Sequence, residues 1–144
     1  MKISTKGRYA LRMMVDLAEH NNGEWISLKE ISERQNISIK YLEQIVSSLM
    51  RSGLLLSSRG PQGGYMLSRK PEEYTVGEIL REIEGSLVPV ACMETVPNQC
   101  ERYAYCPTIK FWEGLYKVIT DYVDSVTLAD LVQQAHPDVI DYSI

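Results

Sequence analysis

The sequence predicts a mainly α-helical chain with one small β-hairpin, and three patterns predict it. Residues 38–52 carry Leu42, Ile45, Val46, Leu49 and Met50 on one stripe, at i, i+3, i+4, i+7 and i+8, which marks an amphipathic helix. Two strand-like stretches, 54–58 and 65–69, flank Gly60-Pro61-Gln62-Gly63-Gly64, a run that suits only a hairpin tip. Residues 108–126 repeat Trp112, Leu115, Tyr116, Ile119, Tyr122, Val123 and Val126 at a mean spacing of about 3.5, the narrow seam of a helix pairing with another helix.

Taken in order, residues 5–20 form the first helix. Ala10, Met13, Met14, Leu17 and Ala18 share a stripe that Leu11 and Val15 widen, so this helix should sit at the centre of a core. Lys2, Lys6, Arg8 and Arg12 crowd its start. Cations there oppose the helix dipole, so helix stability does not explain them. Either they are simply solvated or they meet phosphate. Asn21-Asn22-Gly23 makes a turn, and Trp25-Ile26 suits a short strand. Ser27-Leu28-Lys29-Glu30 has the pattern of a capping box and opens a short helix over 28–35, which Asn36 ends.

The 38–52 helix follows at once, with Ser38 as N-cap and Gly53 as the residue that turns the chain out. Its other face holds Lys40, Tyr41, Glu43, Gln44, Ser47, Ser48 and Arg51. Such a face is either ordinary solvated surface or a reader of the DNA major groove, since its donors and acceptors can meet base edges and phosphates. Two helices in close succession, then strand, glycine-rich tip and strand, is the order of a winged helix-turn-helix. Arg59 stands at the entrance to the tip, placed to enter a minor groove. Gly60, Gln62 and Gly63 form the tip beside it. A phosphate-binding glycine loop is a weaker alternative, because no Gly-Lys-Ser/Thr follows.

Pro71 closes this unit, so the expected division is a DNA-binding domain over 1–70, a connecting helix and cysteine-bearing loop over 71–107, and a dimerisation helix with its tail over 108–144. Thr75-Val76-Gly77-Glu78 reads as a second capping box, opening a helix that Gly85 ends. Residues 86–107 then lose all periodicity and contain Pro89, Pro97 and Pro107. A loop of that length in so short a chain is functional or disordered. It carries all three cysteines, Cys92, Cys100 and Cys106, spaced C-x7-C-x5-C. Pro107 suits the first position of the next helix, which would put the Cys106 thiol at a helix N-terminus and lower its pKa. Three soft donors on one loop suit zinc or an iron–sulfur cluster; three unremarkable thiols is the other reading. The long helix suits a homodimer contact, or packs only on its own chain. Thr127, with Asp130 three residues on, caps a last short helix, and 136–144 reads as a loose tail.

Charge supports the division. The chain has 144 residues and a formal charge of −4, but residues 1–70 hold 11 Lys/Arg against 6 Asp/Glu and residues 71–144 hold 4 against 13. A basic front and an acidic back suit a DNA-facing half joined to a different one. No apolar run approaches the roughly 20 residues of a bilayer span, and no apolar signal core follows the N-terminal lysines, so no membrane association and a cytoplasmic location are expected. In that compartment three cysteines are free thiols or ligands rather than a disulfide framework. His20 and His136 are too isolated to build an acid–base or nucleophilic centre, and no enzyme activity is expected.

Ser-Thr-Lys-Gly-Arg-Tyr-Ala-Leu at 4–11, Ile-Ser-Glu-Arg-Gln at 31–35, Tyr-Leu-Glu-Gln at 41–44 and Arg-Gly-Pro-Gln-Gly-Gly-Tyr at 59–65 resemble the IscR/NsrR/CymR winged-helix regulators, and the IscR branch above all. The resemblance covers nearly the whole chain. It implies a homodimer on a pseudo-palindromic double-stranded operator, with the long helix as the interface. It implies that Glu43, Gln44 and Arg59 touch DNA. It also implies that Cys92, Cys100 and Cys106 hold an iron–sulfur cluster, 2Fe–2S with 4Fe–4S as the alternative. The chain departs from the pattern at the fourth ligand. Ile109 stands where the IscR branch has histidine, and Arg8 stands where the nitric-oxide sensor branch has aspartate. Glu94, Glu101, His136 or an external thiol are left for that role.

The expected function is a DNA-binding regulator, a repressor, switched by a cluster. One alternative is a regulator of sulfur metabolism that answers to a partner enzyme or to thiol oxidation. Another is an iron–sulfur protein that binds no DNA.

Overall fold

The computed structural model describes residues 2–136. The elements run α1 (Thr5–Glu19), α2 (Leu28–Gln35), α3 (Ile39–Arg51), β1 (Leu55–Ser58), β2 (Gly64–Leu67), α4 (Val76–Glu84), α5 (Ile109–Ser125) and α6 (Leu128–Ala135). Short 3-10 turns lie at Pro71–Glu73, Ala91–Met93 and Tyr103–Tyr105. The tail expected at 136–144 lies, apart from His136, outside the described residues. The architecture is mainly α with a small β wing, as the periodicities require.

Helix starts follow side-chain chemistry. Ser4, Ser27, Ser38, Thr75 and Thr127 each accept the backbone N–H three residues ahead, and each such cap stabilises its helix by about 1 kcal/mol relative to alanine. The box is reciprocal at Ser27/Glu30 and at Thr127/Asp130. At Thr75 the hydroxyl half forms, while the Glu78 carboxylate turns to Arg69 at 2.7 Å. An ion pair between distant segments displaces the local contact that the sequence pattern suggests. Asn36 adopts the left-handed conformation, φ 54°, and lets the chain pass from α2 to Ser38 in two residues.

The wing is an antiparallel pair with Leu55 opposite Leu67 and Ser58 opposite Gly64. A single bridge between Ile26 and Tyr65 pins it to the segment before α2, with N···O distances of 3.0 and 2.8 Å. Gly63 makes the tight hairpin tip possible and Gly64 this approach. A Cβ on Gly63 would lie 2.1 Å from the Ser58 carbonyl oxygen, and one on Gly64 would lie 2.3 Å from that of Ile26.

One core unites the front of the chain with parts of the back. Leu42, Ile45 and Leu49 of α3 are fully buried with Met13, Met14 and Leu17 of α1, Ile31 of α2, and Leu54, Leu55 and Leu67 at the hairpin. Tyr74, Ile79 of α4 and Leu128 of α6 join the same cluster. Full burial of each such side chain is worth roughly 1.5–3 kcal/mol, so the inner face of α3 anchors it firmly. Among the buried residues is Asp16, whose carboxylate accepts two bonds from Arg34, at 3.0 and 2.7 Å, and one from Gln35 at 3.0 Å. That contact holds the Arg34 guanidinium above its ordinary pKa and locks α2 to α1.

A second, smaller cluster joins α4 to α5. Val76, Leu80 and Leu87 meet Tyr116, Ile119, Val123 and Val126. Arg81 and Asp124 clamp the same two helices at 2.8 and 3.0 Å, which holds the Asp124 carboxyl below the usual carboxylate range. The single seam expected on α5 therefore divides. Tyr116, Ile119, Val123 and Val126 turn to α4, whereas Tyr122 is 67% exposed beside Phe111 at 63% and Val118 at 65%. Phe111 and Val118 were absent from the expected seam.

Candidate nucleic-acid interface and cysteine loop

The outward face of α3 stands clear of the rest of the chain. Lys40, Glu43, Gln44, Ser47 and Arg51 are exposed. Lys6 reaches them from α1, and with Lys40, Glu43, Gln44 and Ser47 it lines an open depression of about 460 Å³. Cation, carboxylate and amide thus stand side by side around it, the mixture that base edges and phosphates call for. Ser38 is exposed, with its hydroxyl occupied in capping the Tyr41 N–H at 3.1 Å.

Two residues of the expected polar face have other duties. Ser48 is 7% exposed and accepts from Lys6 Nζ at 3.1 Å and from Arg51 at 3.4 Å. Tyr41 is half-buried, its ring edge-on to Tyr9 with centroids 5.4 Å apart. It supports α3 on α1 and presents only part of its ring outward. Of the cations at the start of α1, Lys2 and Arg8 are exposed, with Arg8 also donating to the Thr5 hydroxyl at 3.2 Å. Arg12 differs: it bonds the side chain and carbonyl of Gln35 and lies 5.1 Å over the Tyr9 ring. These contacts hold α1 against the end of α2. At the wing, Arg59, Gly60 and Gln62 are exposed and Gly63 is half-buried under the turn it closes, its N–H donating to the Gly60 carbonyl at 2.9 Å.

The wing is tied to the back half through one phenol. Tyr74 is fully buried, donates to the Leu54 carbonyl at 2.7 Å, and accepts from the N–H groups of Ser68 and Arg69 at 2.9 and 3.2 Å. The Arg69 guanidinium lies 4.4 Å over its ring. Nothing in the local sequence marks this tyrosine, because its partners are 5 to 20 residues away.

The cysteine loop contrasts with this order. Cys92 is exposed, Cys100 and Cys106 are half-buried, and all three are free thiols. Among the described residues no group of three or more His, Cys, Asp or Glu side chains is arranged to hold a metal ion. Three sulfur donors match an iron–sulfur cluster chemically, but the loop in this conformation does not gather them. Pro107 is not the first helical residue; Thr108 occupies the N-cap and α5 begins at Ile109. The Cys106 thiol is nevertheless held below its usual pKa, chiefly by the Thr108 hydroxyl 3.5 Å away and further by the Thr108 and Ile109 amides. Ile109 is half-buried and offers no donor, and Arg8 is a cation. His136 bonds Glu19 at the end of α1 at 2.9 Å, and Glu94 and Glu101 are exposed within the loop.

Sequence reasoning named Leu115 and Tyr122 but missed Phe111 and Val118, and so did not separate the outer stripe of α5. Phe111, Leu115, Val118 and Tyr122 follow a 4-3-4 spacing, with Gly114 beside them and open space where its Cβ would be. The signal was present, but it overlaps the stripe that faces α4.

Comparison with known proteins agrees with this geometry. The family profile described as "Rrf2: Iron-dependent Transcriptional regulator" matches residues 3–134. The protein rrf2 of Nitratidesulfovibrio vulgaris is 38% identical over 135 residues, covering 94% of this chain and 89% of that one. The HTH-type transcriptional regulator IscR of Pectobacterium atrosepticum is 39% identical over 132 residues, covering 92% and 79%. Among solved structures, CymR, the global cysteine regulator of B. subtilis, superposes with a TM-score of 0.77 at 39% identity, covering 93% of this chain and 98% of that one. IscR of T. potens superposes with a TM-score of 0.75 at 41% identity, covering 94% and 88%. The Pectobacterium relative is named as a transcriptional regulator, not an enzyme, and no helix among the described residues is long and apolar enough to cross a membrane. With a capped α2–α3 pair, a glycine-tipped wing and this match along nearly its whole length, the chain belongs to the Rrf2 family of transcriptional regulators.

Proposed function

We propose that the protein is a homodimeric repressor that reads a pseudo-palindromic operator and answers to iron–sulfur status. The observation that carries the DNA reading is the exposure of Lys40, Glu43, Gln44, Ser47 and Arg51 on a helix whose other face is wholly buried, with Lys6 beside them. Gln44 and Glu43 meet base edges, Glu43 as an acceptor suited to cytosine N4. Lys2, Lys6, Arg8, Lys40, Ser47 and Arg51 meet phosphates, with Ser38 and Tyr41 at the near end of α3. Arg59, carried by Gly60, Gln62 and Gly63, enters the flanking minor groove. The exposed stripe of α5 takes the second subunit, and two reading helices then address two half-sites.

For the sensor, Cys92, Cys100 and Cys106 would hold a cluster of the 2Fe–2S type, with 4Fe–4S the alternative. When bound it supplies a centre sensitive to iron supply and oxidation. The residues themselves supply thiolates, Cys106 most readily, and a loop whose regular structure is limited to two short 3-10 turns and that can close around them. With no protein histidine or aspartate at the usual fourth position, the site would be labile.

The test has two arms. A duplex recovered from a random pool by the protein should bind with an affinity that falls steeply with salt. Protein purified without oxygen should be coloured and contain iron and sulfide, and a triple Cys→Ser variant should be colourless. A colourless wild type with operator binding intact favours the second reading, a thiol- or partner-enzyme-responsive regulator. That reading has an observation of its own in the separated cysteines and the thiolate bias at Cys106.

A further inference from the structure

The segment just before the cysteine loop touches the segment that begins the basic front. Glu84 is the last residue of α4 and Gly85 opens the loop. Its Oε1 accepts from the Ser4 backbone N–H at 3.1 Å and from the Ser4 hydroxyl at 2.5 Å. Ser4 is the N-cap of α1, its hydroxyl oxygen accepting the Gly7 N–H at 3.0 Å. The carboxylate lies so close that a Cβ on Gly7 would stand 2.2 Å from it. Within the first turn of α1, Lys6 donates to Ser48, a buried residue of α3 adjoining Ser47. The polar contacts of Ser4 with Glu84 and of Lys6 with Ser48 are therefore joined by the first turn of α1, which links the base of the loop to the reading helix.

Capping chemistry alone does not demand this arrangement. Ser4 already caps α1, and an acidic side chain in the first turn would satisfy the dipole locally; α1 has none there. The negative charge comes instead from 80 residues away, from the one helix whose end is the start of the loop. Glycine at position 7 is what leaves room for it.

We propose that Glu84 is a positioning residue that couples the conformation of the cysteine loop to DNA affinity, by setting the N-terminus of α1 and with it Lys2, Lys6 and the seat of α3. This rests on the DNA-binding reading and not on the cluster. Any event that reorders the loop, whether metal loading, thiol modification or partner docking, draws on Glu84 and reaches α3 by the same route. Coupling of this kind is reciprocal: if the state of the loop changes DNA affinity, DNA changes the loop by the same factor.

The experiment measures alkylation rates of Cys92, Cys100 and Cys106 with and without a duplex of roughly three helical turns recovered from a random pool, and the duplex affinity of alkylated and unalkylated protein. Wild type should show duplex-dependent alkylation and an affinity change on alkylation on the order of five-fold or more. Glu84→Ala and Gly7→Ala, which break the contact from opposite sides, should bind the duplex with little dependence on alkylation. Glu84→Gln, which keeps an acceptor for Ser4, should restore the coupling. Glu82→Ala, on the same helix with an exposed side chain, should leave it intact. If either uncoupling variant does not fold, shown by its thermal transition, the other decides. Wild-type coupling that survives in the folded variants, or duplex binding without coupling in wild type, overturns the proposal alone. Failure of wild type to retain any duplex overturns it together with the DNA reading.

Discussion

Helices α3 and α5 are both amphipathic, yet they are held in opposite ways. On α3 Leu42, Ile45 and Leu49 are completely buried and the polar face is left over. On α5 no residue is buried, although Tyr116, Ile119 and Val123 pack on α4, and the face left over is apolar. A helix that completes its core within the chain has only its polar chemistry to offer outside. A helix left with Phe111, Val118 and Tyr122 exposed and Leu115 half-buried among them has unburied hydrophobic surface, which suits association rather than reading. The contrast is what supports the proposal that α3 meets nucleic acid and that α5 meets a second copy of the chain.

Breaking the apolar side should have the largest effect. Val118→Glu puts a charge into the outer stripe and should yield monomers by sedimentation equilibrium. Operator affinity should fall by a factor on the order of 10²–10⁴ as bivalency is lost. A monomer that binds the operator as well as wild type would break the comparison. On the buried side, Tyr74→Phe should lower unfolding stability by about 1–3 kcal/mol in chemical denaturation, because the Leu54 carbonyl and two amides lose their partner in the core.

Sharper still is the polar side. Arg59→Ala should weaken operator binding by about 1–3 kcal/mol while leaving the dimer unchanged. Glu43→Ala should cost less affinity but relax base preference in a base-by-base scan of the operator; unchanged preference would remove Glu43 from direct readout. The smallest effect concerns Cys106. Its pKa lies below the ordinary thiol value, so as pH falls its thiolate persists further than that of a free thiol. The pH profile of Cys106 alkylation should shift upward in Thr108→Val, which lacks the hydroxyl.

Local rules carried far along this chain. The caps at Ser27, Ser38 and Thr127, the stripe of α3 and the glycine tip of the wing depend on neighbours within a few residues, so spacing alone displays them. Where a residue's partner is distant, spacing misleads. Ser48 lies on the polar side by periodicity but turns inward because Lys6 arrives from α1. Arg12 counts as a free cation until Gln35 is placed beside it. Glu78 fits a box that Arg69 interrupts.

By itself the sequence determined the helices, the hairpin, the polar face of α3 and the three thiols, because helix capping, side-chain period and backbone freedom at glycine act over one or two turns. Only the tertiary structure decided which apolar stripe of α5 remains open, that Tyr74 ties the wing to α4 and α6, and that Glu84 reaches the start of α1. Those are contacts between segments tens of residues apart. Their geometry depends on how whole faces pack, and no short window of residues contains it.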